Sequence, residues 1–251
     1  MVNSFGIIDQ MIRSLAVAKK DVLAYYGKGA LLIYGLLVPA FLFISYAFGR
    51  QMPFNSLLPS LLATSVFFTS SSVAPGITAI EAMSGTLERL ISCPIAVWTI
   101  LLGDLLASAL AGVISCFLII AVFMFAGVAV ANLAALAAGV VLASLCFAAM
   151  ALILSSPATR SPSNIQMLSS IVRFPLLFLS GVFASLSDLP AAARIMALVS
   201  PLTYFTDLAR YAVNGSSYFP VVLDFLAVAI STIILWIIAV KLHNRSLPMR
   251  V

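Results

Sequence analysis

The chain has 251 residues, of which 63% are hydrophobic and 8% charged, where a soluble domain carries about 45–50% apolar and about 25% charged residues. So few charges cannot clothe a core of this size in water, whereas the same deficit is expected when lipid solvates most of the surface. A soluble globular protein is excluded. Lys and Arg outnumber Asp and Glu by 13 to 8, which in a membrane protein reports cytoplasmic loops and carries no nucleic-acid signal.

Residues 5–28 place Ile8, Met11, Ile12, Leu15, Val22, Leu23 and Tyr26 on one helical face and Asp9, Arg13, Lys20 and Lys28 on the other, with Lys19 the exception. This predicts an amphipathic helix in the cytoplasmic interface, either a simple anchor or a docking element for a partner. The charges also interrupt any cleaved-signal pattern. A bilayer crossing needs about 20 apolar residues, and six intervals reach that length, at about 29–48, 57–79, 102–126, 132–155, 165–185 and 221–240. These are continuous apolar runs without β-barrel alternation, so the fold class is an all-α integral membrane protein forming a single transmembrane domain over 1–251. Six spans put both termini on one side. Nine basic residues (Arg13, Lys19, Lys20, Lys28, Arg89, Arg160, Lys241, Arg245, Arg250) fall on that side against three (Arg50, Arg194, Arg210), so the termini are expected in the cytoplasm of a cell membrane.

The loop between spans two and three, about 81–99, is the only cytoplasmic loop with several charges. Leu87, Leu90 and Ile91 share a helical face, Glu88 and Arg89 project elsewhere, and Pro94 limits the helix. Such a helix can dock in a groove or stand solvated. Arg173, eight residues into span five, would lie about 12 Å along the helix at about 1.5 Å per residue. Either it snorkels to the interface, or, beside the kink-prone Pro175, it lines a path or pairs with Asp104. Beyond span five, 191–199 and 202–213 are helical stretches split by Pro201 and too short to cross; Asp207 and Arg210 at i and i+3 can pair there. Ala107, Ala111, Ala135 and Gly139 permit close helix contact. Phe67, Phe68, Phe123, Met124 and Phe178 form either core or an apolar path. Cys93, Cys116 and Cys146 lack metal or disulfide spacing.

Gly85-Thr86-Leu87-Glu88-Arg89-Leu90 with Pro94, then Phe178-Leu-Ser-Gly-Val-Phe183, Leu189-Pro190, Ser200-Pro-Leu-Thr-Tyr-Phe205 and Asp207-Leu-Ala-Arg210 resemble type-2 ATP-binding-cassette export permeases, the daunorubicin-resistance and nodulation-type branch most closely. The resemblance covers essentially the whole chain. It departs where that family often carries an acidic-basic-acidic triplet, here Ala82-Met83-Ser84 after Glu81. It implies that two copies pair in the membrane and that each is driven by a separate nucleotide-binding ATPase subunit. Contact with that subunit is implied for Glu81, Thr86, Leu87, Glu88, Arg89, Leu90 and Pro94. The path or gate would include Arg173, Pro175, Ser180, Gly181, Asp207 and Arg210, with a helical hairpin at 186–215 dipping into the outer leaflet. ATP and Mg are expected on the partner and no cofactor in this chain, since the Gly27-Lys28 pair lacks the rest of a P-loop.

A membrane enzyme is disfavoured: the one histidine, His243, lies beyond span six, and Ser70, Ser71 and Ser72 have no base at membrane depth. Their expected role is hydrogen bonding between helices. An ion-coupled transporter or a channel remains the rival reading, but intramembrane acid pairs and inverted repeats are not visible.

Overall fold

The computed structural model describes residues 6–26, 37–41, 54–93, 95–125, 127–157, 161–183 and 190–246. Every regular element among them is helical. The order is α1 (Ile7–Asp21) continued by a π-helical turn (Val22–Tyr26), then α2 (Phe54–Ser72), α3 (Ala74–Met83), α4 (Thr86–Ser92), α5 (Val97–Phe125) and α6 (Leu133–Leu154). After these come α7 (Pro162–Leu179), α8 (Ala191–Val199), α9 (Pro201–Asn214) and α10 (Val221–Ser246).

Four stretches among the described residues are long and apolar enough to cross a membrane: Leu57–Met83, Val97–Phe125, Leu133–Leu154 and Val221–Ser246. The first joins α2 and α3 and runs four residues beyond the expected end at 79, because Pro75 sits in the first turn of α3, where a missing N–H is harmless. The interval expected as the fifth span holds α7, which is not among the four, because Asn164, Gln166, Ser169, Ser170 and Arg173 dilute its apolar character. The first expected span, about 29–48, lies outside the described residues apart from 37–41.

Span two is the hub. It is almost wholly buried, with α5, α6 and α9 packed around α2 and with α7 against α3. Phe67 meets Phe147 of α6 at 5.1 Å between ring centroids, and Phe147 meets Phe205 of α9 at 6.2 Å, both edge to face. Phe67 and Phe68 are therefore core, whereas Met124 and Phe178 stand exposed. Glycines set the closest approaches. A Cβ on Gly112 of α5 would collide with Ser70 Oγ of α2 and lie 2.9 Å from Ser144 Oγ of α6, and one on Gly139 would strike Leu208 of α9.

α1 lies along α5. Its apolar stripe of Ile8, Met11, Ile12 and Leu15 faces away from the protein, as a helix in the interface requires. The inward side is Gln10, Ser14, Val17, Ala18 and Asp21, so part of the face expected in water is buried against protein. Gln10 Oε1 accepts from Thr99 Oγ1 at 2.6 Å. The two ends of the bundle are identified by their ties. Asn132 N–H donates to Ala212 O at 2.8 Å at one end, and His243 Nε2 meets Ser155 Oγ at 3.1 Å at the other.

Candidate functional site

The segment joining α3 to α5 is short and firmly seated. Gly85 takes a left-handed φ of 69°, a conformation glycine adopts without strain, and this turns the chain from α3 into α4. The turn is fastened by side chains: Ser84 Oγ donates to Ile80 O at 3.0 Å, and Thr86 Oγ1 donates to Glu81 O at 3.3 Å. Leu87 is 1% exposed and packs with Ala82 and Val97. Thr86, Glu88 and Arg89 are exposed and Leu90 half-buried, while Pro94 lies outside the described residues. Two of the residues expected at the partner's surface face inward here. Leu87 anchors α4 from within, against Ala82 and Val97. Glu81, 4% exposed, is also turned inward, because its carboxylate finds a cation there.

That cation is Lys20. Its ammonium donates to Glu81 Oε1 and lies 3.0 Å from Asp21 Oδ1. Asp104, 3% exposed, lies near enough to Asp21, which is fully buried, for the two acids to feel each other's charge. One ammonium thus pairs with two acids of a cluster of three drawn from α1, α3 and α5. Burial alone lowers the pKa of a lysine, but the Glu81 hydrogen bond and the charges of Asp21, Glu81 and Asp104 outweigh it and raise the Lys20 pKa, so the ammonium stays charged. Sequence reasoning had put Lys20 in water and given Asp21 no role. The signal that could have found them is Asp104 itself, an acid at the start of an apolar span that has to be paired once the helix extends back to Val97.

Arg173 is 3% exposed, its guanidinium held within the protein. Its partner is not Asp104, which faces the Lys20 group. Instead its Nη1 donates to Ser72 Oγ at 2.7 Å, its Nη2 to Gln166 Oε1 at 3.3 Å and its Nε to Ser169 O at 3.3 Å. Gln166 Nε2 in turn donates to Ser72 O at 2.9 Å. A guanidinium presents several donors in a fixed fork, and here it clamps α7 onto the end of α2. Pro175, inside α7, points outward.

At the opposite end, Ser180 and Gly181 close α7, Gly181 with φ 74°. Arg210 Nη2 donates to Gly181 O at 2.5 Å. Asp207 accepts from Tyr218 N–H at 2.9 Å and from Phe219 N–H at 2.8 Å, capping the approach to α10. The expected Asp207–Arg210 ion pair does not form; each residue ties α9 to a different neighbour. Of the 186–215 hairpin, the described part is α8, α9 and the Ser200 turn between them, with Leu202, Phe205, Leu208 and Ala212 of α9 buried in the core.

The candidate residues therefore fall into a group at the α4 end (α4, Lys20, Asp21, Glu81 and Asp104), the Arg173 clamp, and a group at the opposite end at Gly181, Asp207 and Arg210. The arrangement can transmit force and close an end; among the described residues it holds no cluster suited to a metal. No curated protein matches the chain. A family model described as ABC-2 type transporter matches residues 13–214, a stretch that takes in all three groups, and the chain belongs to that family of transport permeases.

Proposed function

We propose that this permease is the membrane half of an ATP-driven exporter, in which two copies enclose a path for a lipophilic or lipid- or sugar-linked substrate. Each copy is proposed to cross the membrane six times with both termini in the cytoplasm, and to receive force from a separate nucleotide-binding subunit. The observation that carries this reading is α4. Its charged face of Thr86, Glu88 and Arg89 is exposed, while Leu87 and the Ser84 and Thr86 hydroxyls fix it to the end of span two. A seven-residue helix presented this rigidly is a poor solvated loop and a good lever. Nucleotide binding by the partner pushes α4; the spans respond by alternating between inward-open and outward-open arrangements; the α8–α9 hairpin closes the outer end.

The test is purification of the tagged chain from its native membrane in mild detergent. A stoichiometric P-loop partner and ATP hydrolysis are expected. The double reversal Glu88→Lys and Arg89→Glu is expected to uncouple hydrolysis from the permease while the chain stays folded and inserted, because both side chains are exposed. A lone chain without ATPase activity under several gentle extractions would overturn the reading and favour an ion-coupled transporter or a channel.

A further inference from the structure

The Lys20 group is unusual in its charge balance. Asp21 is 0% exposed, Asp104 3% and Glu81 4%, yet among the described residues Lys20 is the one cation paired with them. Asp21 receives no hydrogen bond on either carboxylate oxygen, and Asp104 Oδ1 receives none. Such a group is a poor choice for stability alone, since an apolar set of similar volume is often as stable or more so. It is a good choice for a device with two arrangements. One ammonium cannot serve three carboxylates fully, so exchanging one acid for another changes the total electrostatic energy little while repositioning the elements that carry them.

The connections on either side give the direction of the coupling. Glu81 lies at the root of α4, whose Thr86 hydroxyl bonds the Glu81 carbonyl. Lys20 and Asp21 end α1, and Asp104 sits beside Gly103, where Val17 of α1 packs directly on the α5 backbone. We propose that Lys20 is a positioning residue for coupling: it latches Glu81 to α1 in this state and, when α4 is displaced, releases Glu81 toward solvent and shifts to Asp104. α4 motion thereby becomes motion of α1 against span three. The inference rests on the exporter reading above, and its test separates the two.

The reporter is a cysteine at the far end of the bundle, Ser216→Cys, which is exposed after α9. The exposed Cys93 is replaced by Ser; Cys116 and Cys146 are buried. The complex with its ATPase partner is reconstituted, and the maleimide labelling rate at position 216 is compared with and without ATP and vanadate. The latch predicts that Lys20→Met keeps partner binding and hydrolysis but diminishes the nucleotide-driven change in labelling, within the roughly 5–150-fold range of allosteric couplings; Lys20→Arg restores it. Because Lys20→Met alone strands buried carboxylates, a variant with Lys20→Met, Asp21→Asn and Glu81→Gln together is made as well, and it is expected to fold like the parent yet remain uncoupled. If that triple variant retains the full nucleotide-driven change, the group is merely structural and the latch is wrong. If the parent complex shows no nucleotide-driven change at position 216 while hydrolysing ATP, the exporter reading fails first and the latch with it.

Discussion

Gly103→Ala isolates the contact between the interfacial helix and span three. The added methyl would stand 2.5 Å from Val17 Cβ, 2.6 Å from Val17 Cγ1 and 2.8 Å from Ser14 O, where carbon atoms rest at about 3.5–4.0 Å. α1 must retreat by about 1 Å. Overpacking of this kind costs about 1–3 kcal/mol, offset in part by the gain of up to about 1 kcal/mol from removing a glycine inside a helix. A net loss of about 1–2 kcal/mol corresponds to a factor of about 5–30 in the opening equilibrium. The assay is maleimide labelling of Ser14→Cys, a position that is 1% exposed, which should react faster by that factor when Gly103 is Ala. Val17→Ala should not rescue it, because the clash is with Cβ itself; Val17→Gly should rescue it in part. Unchanged labelling, or full rescue by Val17→Ala, would refute the claim that backbone proximity at Gly103 sets the seat of α1.

Two further outcomes follow from burial and hydrogen bonding. Leu87→Ala removes a side chain sealed against Ala82 and Val97; a loss of about 2–5 kcal/mol is expected, read as earlier thermal unfolding of α4 by a fluorescent label at Cys93, with no such loss for substitutions at Glu88. Arg173→Met leaves the Ser72 hydroxyl and Gln166 carbonyl oxygen without their donor, which costs about 1–3 kcal/mol in thermal stability. Arg173→Lys should recover only part, since one ammonium cannot reproduce the fork that reaches both.

Spans three, four and six were legible in the sequence because their signal is local. Apolar runs of this length have one stable solution in lipid, and the ends fall where Asn132 caps α6 or where charge returns. The fifth interval was legible as a helix and less so as a crossing, because two of its polar residues, Gln166 and Arg173, are spent on Ser72 of α2. What the sequence could not show are the pairings. Lys20 and Glu81 are 61 positions apart and Arg173 and Ser72 are 101 apart, and no periodicity encodes a choice among partners at such distances. The helical wheel of 5–28 failed in the same way. It sorts apolar from polar residues, but in a membrane protein the polar side of an interfacial helix can face either water or protein, and Asp104 inside span three decided it.

The distribution of hydrogen bonds bears on how the protein can move. In the middle of span two, the buried hydroxyls of Thr64, Thr69 and Ser71 donate to the carbonyls four residues back in their own helix. Such back-bonding satisfies the polar group without committing it to a neighbour, so α5, α6 and α9 meet the hub through apolar side chains and small residues that tolerate sliding. Directional bonds between elements lie at both ends, Lys20 to Glu81 beside α4 and Arg210 to Gly181 and Asp207 to Tyr218 at the other, and Arg173 to Ser72 ties α7 partway along the span. Alternating access requires two closures that differ in chemistry, so that one can release while the other holds. In the proposed cycle the inner closure is the one within reach of α4, and the outer one, built of backbone carbonyl and N–H contacts without a direct Asp207–Arg210 pair, can open without stranding an ion pair.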